Sequence, residues 1–147
     1  MAKMKRFAGI GLLVIVGGFL LIQLVPYGRN HTNPPVGNEP NWDSPQTRAL
    51  AERACFDCHS NETVWPWYSN VAPISWLVQH DTDEGRQTLN FSQWGSNPRH
   101  EEGRELAEVI AEGEMPPPIF LVTHPEARLT QAEKDALMQG LRATTSQ

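Results

Sequence analysis

Hydrophobic side chains fall into two regimes along this chain. From Phe7 to Val25 they run for 19 positions without a single charge. From Trp42 onward they recur as short amphipathic bursts between loops that contain Pro and Gly. At about 1.5 Å per residue the first stretch would span roughly 28 Å as a helix, close to the hydrocarbon thickness of a bilayer. Lys3, Lys5 and Arg6 precede it, and by the positive-inside rule they hold the N-terminus in the cytoplasm and send the remainder across. A cleaved signal peptide is the competing reading. The apolar run is longer than a usual signal core and no A-x-A-like site follows it, so an uncleaved anchor over residues 1–26 is the expectation.

The later bursts predict helices. Ser44 as a cap, with Pro45 at the first helical position, starts one that leads through Leu50, Ala51 and Ala54 into Cys55-Phe56-Asp57-Cys58-His59, which would lie at its end. Ile74, Leu77 and Val78 at i, i+3 and i+4 predict a second over Pro73 to His80. Leu106, Val109 and Ile110 share one face of a third, which begins behind Asn97-Pro98 and is stopped by Gly113. Thr130 and Glu133 form a capping box for the last, with Leu137 and Leu141 one turn apart. No useful strand alternation appears, so the fold class is all-α. Residues 27–41, rich in Pro, Gly and Asn, read as an extended tether, and residues 42–147 as one small domain whose core would be thin without a cofactor.

Charge narrows the partners. From Asn30 onward the sequence holds 17 Asp and Glu against 8 Lys and Arg, a formal net of minus 9 (8 minus 17). That surface disfavours nucleic acid and suits a partner with a basic docking face, although a plain solvated acidic surface gives the same count.

The chemistry concentrates in Cys55-Phe56-Asp57-Cys58-His59, which contains both cysteines of the chain. C-x-x-C-H is the attachment signature of a c-type haem. Two thiols one turn apart add across the haem vinyl groups, and the adjoining imidazole meets the iron. Three other readings compete. A thiol redox pair normally follows a strand of a βαβ unit, which is not predicted here. Zinc needs a second pair of ligands. A disulfide at this spacing closes only a tiny loop. The expected cofactor is therefore one covalently attached haem c per chain, on Cys55 and Cys58 with His59 as proximal ligand. Its attachment outside the cytoplasm agrees with the anchor.

The sixth ligand decides what the iron does. Met115 lies in Gly113-Glu114-Met115-Pro116-Pro117-Pro118, where a soft thioether on a stiff loop would favour reduced iron. Packing as a gap-filling core side chain is its alternative role. His80, at the end of an apolar helix, is the alternative sixth ligand. His100, His124 and His31 are weaker rivals. Among five tryptophans, Trp65 and Trp67 with neighbouring Tyr68 are the best candidates to wall a haem crevice, since each offers a flat apolar body with one hydrogen-bond donor.

The stretch from Cys55 to His80, then EGRQTLNFSQW, MPPP and HPEARLT, resembles the small bacterial haem-binding domain family related to cytochromes c. The resemblance covers nearly all of residues 33–142. It implies a small cytochrome c-like helical domain around haem c held by Cys55, Cys58 and His59, with Met115 at the position of that family's M-P-P motif, in an exported and membrane-held protein. Phe120, where members often carry Tyr, and Gly140, where a bulkier residue is expected, depart from the pattern. The function expected is single-electron transfer between redox protein partners, some of them membrane-bound, on the extracytoplasmic side. A haem-based gas or redox sensor is one alternative. A peroxidase-like enzyme using His80 and Arg86 is the other. No paired carboxylates, activated nucleophile or phosphate loop supports a separate enzyme.

Overall fold

The computed structural model describes residues 2–95 and 103–146. Among them every regular element is helical, as the periodicity predicts, and no strand occurs. The order is α1 (Ala2–Ile22), α2 (Pro45–Ala54), α3 (Phe56–His59), α4 (Ile74–Thr88), α5 (Gly103–Ala111), α6 (Phe120–Thr123) and α7 (Gln131–Thr145), with short 3₁₀ turns between them. The chain divides into two compact units, one of residues 1–32 and 65–81, the other of residues 33–64 and 82–147.

In the first unit, α1 is long and apolar enough to cross a membrane, and none of its apolar window is buried in protein. A signal sequence would pass the same test. Just past α1, the Gln23 side chain meets the Ala72 backbone on both sides: Nε2 donates to the Ala72 carbonyl at 2.9 Å, and the Ala72 amide donates to Oε1 at 3.0 Å. Arg29 Nη2 donates to the same Oε1 at 3.2 Å. Gly28 takes a φ of +77°, and a side chain there would run into the Ser75 carbonyl, so only glycine fits. The Ser69 hydroxyl donates to Pro66 O at 2.6 Å, so His31 Nε2–H is the donor toward Ser69 O, 3.0 Å away.

The second unit is built on α2, α5 and α7, which bury Leu50, Ala51, Ala54, Ile110, Leu137 and Leu141. The expected capping signals form. Ser44 caps α2 with Pro45 at its first position, and Thr130 and Glu133 make the capping box of α7. α5 ends in a Schellman motif: Glu114 N donates to Val109 O and Gly113 N to Ile110 O, with Gly113 at φ +78°. The start expected behind Asn97-Pro98, and His100 with it, lie outside the described residues. α4 runs on to Thr88, well past the predicted His80, although Asp81, Thr82, Asp83, Gly85 and Thr88 are weak helix formers, so tertiary contacts and not propensity continue it. α6, too short to show a period, has no sequence signal.

Aromatic rings fill the centre of this unit. Phe91 stacks on Phe56 with centroids 5.6 Å apart and lies parallel to Trp94 at 6.0 Å; Trp42 closes the group 5.2 Å from Phe91. Residues 33–41 are extended and bonded into the unit. Gly37 N donates to Ser92 O, Trp94 N to Asn38 O, and Asn61 Nδ2 to Pro35 O. Glu39 receives Arg48 in a two-pronged pair, both contacts 2.8 Å, and Trp42 Nε1 at 2.7 Å. The Arg48 guanidinium lies 5.2 Å from the Phe56 ring centre.

Gly140 brings α7 close against α2: an added Cβ there would overlap the buried Thr47 side chain, including its Cβ. Alanine would gain about 1 kcal/mol of helix propensity and lose about 1–3 kcal/mol to overpacking. Gly140→Ala is therefore expected to lower the midpoint of urea unfolding, whereas a rise would show that the helices part at no cost.

The Arg48 hydrogen bond is the main force holding the Glu39 carboxyl below the usual carboxylate range; burial opposes it and the Trp42 N–H assists. An unfolded glutamate titrates near about 4.3. A lowered native value means that the pair stabilises fully above that pH and stops doing so as pH falls through the native value. Glu39→Gln should cost up to about 1 kcal/mol at pH 7, and denaturation curves of the two proteins should converge in acid.

Candidate functional site

The sequence reading runs the first helix straight into the cysteine motif. The structure breaks it there. Cys55 closes α2 through its amide, which donates to Ala51 O at 2.8 Å. It then leaves helical geometry at φ −129° and ψ −33° and starts the separate turn α3. Within that turn His59 N donates to Cys55 O at 2.9 Å, so both cysteines and the histidine belong to one short hydrogen-bonded loop.

Phe56 fixes the turn to the unit's interior. Its side chain is buried and stacked on Phe91, while Cys55, Cys58 and His59 are half-buried. The two thiols are not joined in a disulfide. Burial, and secondarily the neighbouring Cys58, pushes the Cys55 thiol up to about 12. Thiol redox pairs carry at least one cysteine whose pKa is lowered to near or below neutral, and Cys55 is not such a cysteine.

His59 is the most constrained member. Its Nδ1 lies 3.0 Å from the Gly85 carbonyl and 3.2 Å from the Leu89 carbonyl. Both are acceptors, so Nδ1 carries the proton and Nε2 holds the lone pair of the neutral ring. Gly85 lies in the last turn of α4, where its carbonyl also accepts the Leu89 amide at 2.8 Å, and Leu89 follows the helix end, where the dipole is negative. The Nδ1 bond fixes the ring and raises the basicity of the other nitrogen. Gly85 permits the approach. A Cβ there would strike the Cys58 carbonyl oxygen and lie 3.0 Å from Cys58 Cβ.

The loop after the motif is held by neutral amides and one guanidinium. Asn90 Nδ2 donates to Asn61 Oδ1 at 2.9 Å, Ser92 N to Asn90 Oδ1 at 2.9 Å, and Asn61 N to Ser92 Oγ at 3.0 Å, all buried. Arg86 donates to Ser60 O, Asn33 Oδ1 and Thr63 Oγ1 at 2.8–2.9 Å. Burial lowers its pKa. Asp57 accepts the Val64 amide at 2.9 Å, and its carboxyl is pushed up chiefly by burial. His124 Nε2 lies 3.9 Å from Asp57 Oδ2, with its ring stacked on Phe120 at 3.9 Å.

The other candidates divide between the units. Met115 lies in the second, in the loop that leaves α5, with its amide donating to Val109 O at 3.1 Å and its side chain 38% exposed. Trp65, Trp67, Tyr68 and His80 belong to the first. There Trp65 stacks on His31, with centroids 4.8 Å apart, and Tyr68 meets the edge of Trp67 at 5.8 Å. His80 is exposed on α4. Sequence reasoning missed Gly85 and the Leu89 carbonyl. The one signal for Gly85 was a glycine inside a helical stretch, and a backbone carbonyl leaves no trace in side-chain pattern.

The donor set suits haem better than a metal bound by side chains alone. A haem iron needs only axial ligands from the protein, and a neutral histidine with its lone pair on Nε2, as His59 has, is of the type that can supply one. Among the described residues no three His, Cys, Asp or Glu side chains are grouped to hold a bare ion. No curated protein and no solved structure matches this chain. A family model described as the haem-binding domain matches residues 17–143, from within α1 to near the end of α7, and the chain belongs to that family, whose cofactor is haem.

Proposed function

We propose that this protein is a membrane-anchored monohaem c-type cytochrome, with haem c joined covalently to Cys55 and Cys58, that passes single electrons between redox protein partners on the extracytoplasmic side of the membrane. The observation that supports it best is the Nδ1 bond of His59 to the Gly85 and Leu89 carbonyls, because it sets the tautomer an axial ligand requires in the turn that holds both thiols. Bound haem supplies the one-electron chemistry. His59 and Met115 would hold its iron, and the protein itself would move no proton and make no bond in each transfer. α1 keeps the domain near membrane-bound partners, raising its effective concentration. Arg86 has a structural task here, since its guanidinium is engaged by Ser60, Asn33 and Thr63 and not held ready beside a peroxide.

Covalent attachment is tested by extraction with acidified acetone. Haem should stay with the wild-type polypeptide and leave the Cys55→Ala/Cys58→Ala variant. Complete loss from wild type would refute thioether linkage. Ligation is tested by near-infrared spectra of the ferric protein: a weak sulfur-to-iron band should be present in wild type and absent in Met115→Ala. If wild type lacks the band, a low-spin spectrum points to His80. A high-spin one that changes with carbon monoxide after reduction points to a sensor or peroxidase site.

Gly85→Ala probes the histidine's support. Forcing α4 off the motif turn should cost about 1–3 kcal/mol, reduce haem-loaded yield and alter the His59-dependent spectrum. An unchanged spectrum and stability would show that the Gly85 contact is dispensable.

A further inference from the structure

From Thr63 to Gln79 the sequence contains no Asp, Glu, Lys or Arg, although a fifth of the whole chain is charged and the part after Asn30 is strongly acidic. The same stretch supplies exposed apolar side chains to the first unit: Trp67 is 79% exposed, Ile74 48% and Leu77 49%. Ile74 and Leu77 are three apart on α4 and share a face. An exposed tryptophan and exposed aliphatic residues on one charge-free segment are poorly suited to water.

The position of this surface is fixed by the Gln23 clamp. Gln23 follows α1 directly, and its amide is bonded to both backbone groups of Ala72, a residue with no exposed surface. Ile74 is two residues from that clamp, at most about 7 Å, and Trp67 five residues, at most about 18 Å even fully extended. Headgroup zones extend roughly 6 Å beyond the hydrocarbon on each side. With α1 across a bilayer, Ala72 stands at the level where the helix leaves the hydrocarbon, and the residues around it stand beside the headgroups. Tyr27, 47% exposed in the same unit, adds a second amphipathic ring. Trp and Tyr at the ends of membrane helices favour this zone because a ring is accommodated there without dehydrating its polar tip.

We propose that the Trp67, Ile74 and Leu77 surface is embedded in the lipid interface, so that the first unit is seated on the bilayer and not merely tied to it. The inference rests on the membrane-anchored reading of α1. A charge-free surface also fits bacterial membranes electrostatically, since the acidic face of the rest of the chain is repelled by anionic lipid.

The full-length haem-loaded protein, with Trp67→Cys carrying a nitroxide label, would be reconstituted in phosphatidylcholine and phosphatidylglycerol vesicles. Spin-label accessibility to oxygen and to a water-soluble nickel chelate is then compared. Ile74→Cys gives a second reading should the first variant fold poorly, and Gln131→Cys, exposed in the second unit, serves as the aqueous control. Oxygen should dominate at positions 67 and 74, and nickel at 131. Nickel dominating at 67 and 74 in protein that still floats with the vesicles would overturn the lipid-seated surface while leaving the anchor intact. Shielding of position 67 from both reagents would mean that protein or haem covers it, and also overturns the proposal. If the protein does not float with vesicles at all, the anchor reading fails and this one with it.

Discussion

The carbonyls at the end of α4 that receive His59 Nδ1 set the terms for everything around the motif. They reach the ring only because residue 85 has no side chain, because Cys55 ends α2 and turns the chain, and because Phe56 is locked against Phe91. Remove any of these and the imidazole loses the partner that decides which nitrogen bears the proton. A helix terminus serves this purpose well, since its carbonyl dipoles already point outward and the Gly85 oxygen takes the ring in addition to the Leu89 amide.

Around that bond the structure places its polar groups economically. The loop behind the motif is closed by Asn61, Asn90 and Ser92, which satisfy one another inside the protein without any charge. Charge is kept to the rim, where Arg48 joins Glu39 to the outer face of Phe56, and to Arg86, whose Nε and Nη2 tie residues 33, 60 and 63 together. Neutral groups are the cheaper choice in the interior, because a buried ion loses more solvation than a single partner restores.

Much of this was readable beforehand, for identifiable reasons. Ser44-Pro45, Thr130 with Glu133, and Gly113 are local signals whose geometry is set within a few residues, and all three act as the sequence indicates. The all-helical class followed from the 3.6-residue period of Leu137 and Leu141 and of Leu106, Val109 and Ile110. The end of α4 was missed because residues 81–88 are polar, carry no apolar period and include weak helix formers at Asp81, Thr82, Asp83, Gly85 and Thr88. The break at Cys55 was missed because nothing in Ala54-Cys55-Phe56 disfavours helix; the demand of Phe56 for the aromatic core overrides propensity there. In the site, the motif named its own residues, but Gly85 and the Leu89 carbonyl depend on contacts 26 and 30 positions away, which no local pattern carries.

The Schellman end of α5 bears on time as well as on shape. Glu114 and Met115 both donate their amides to Val109, so the backbone beneath the thioether is pinned to a helix terminus. If that sulfur holds haem iron, as proposed above, its departure from the iron would be a matter of side-chain torsions alone. Exposed side chains change rotamer in picoseconds to nanoseconds, far faster than loops rearrange. A sulfur dislodged by a competing molecule would return almost at once, so the competitor's residence would be set by its own bond to the metal and not by a slow reclosure of the protein.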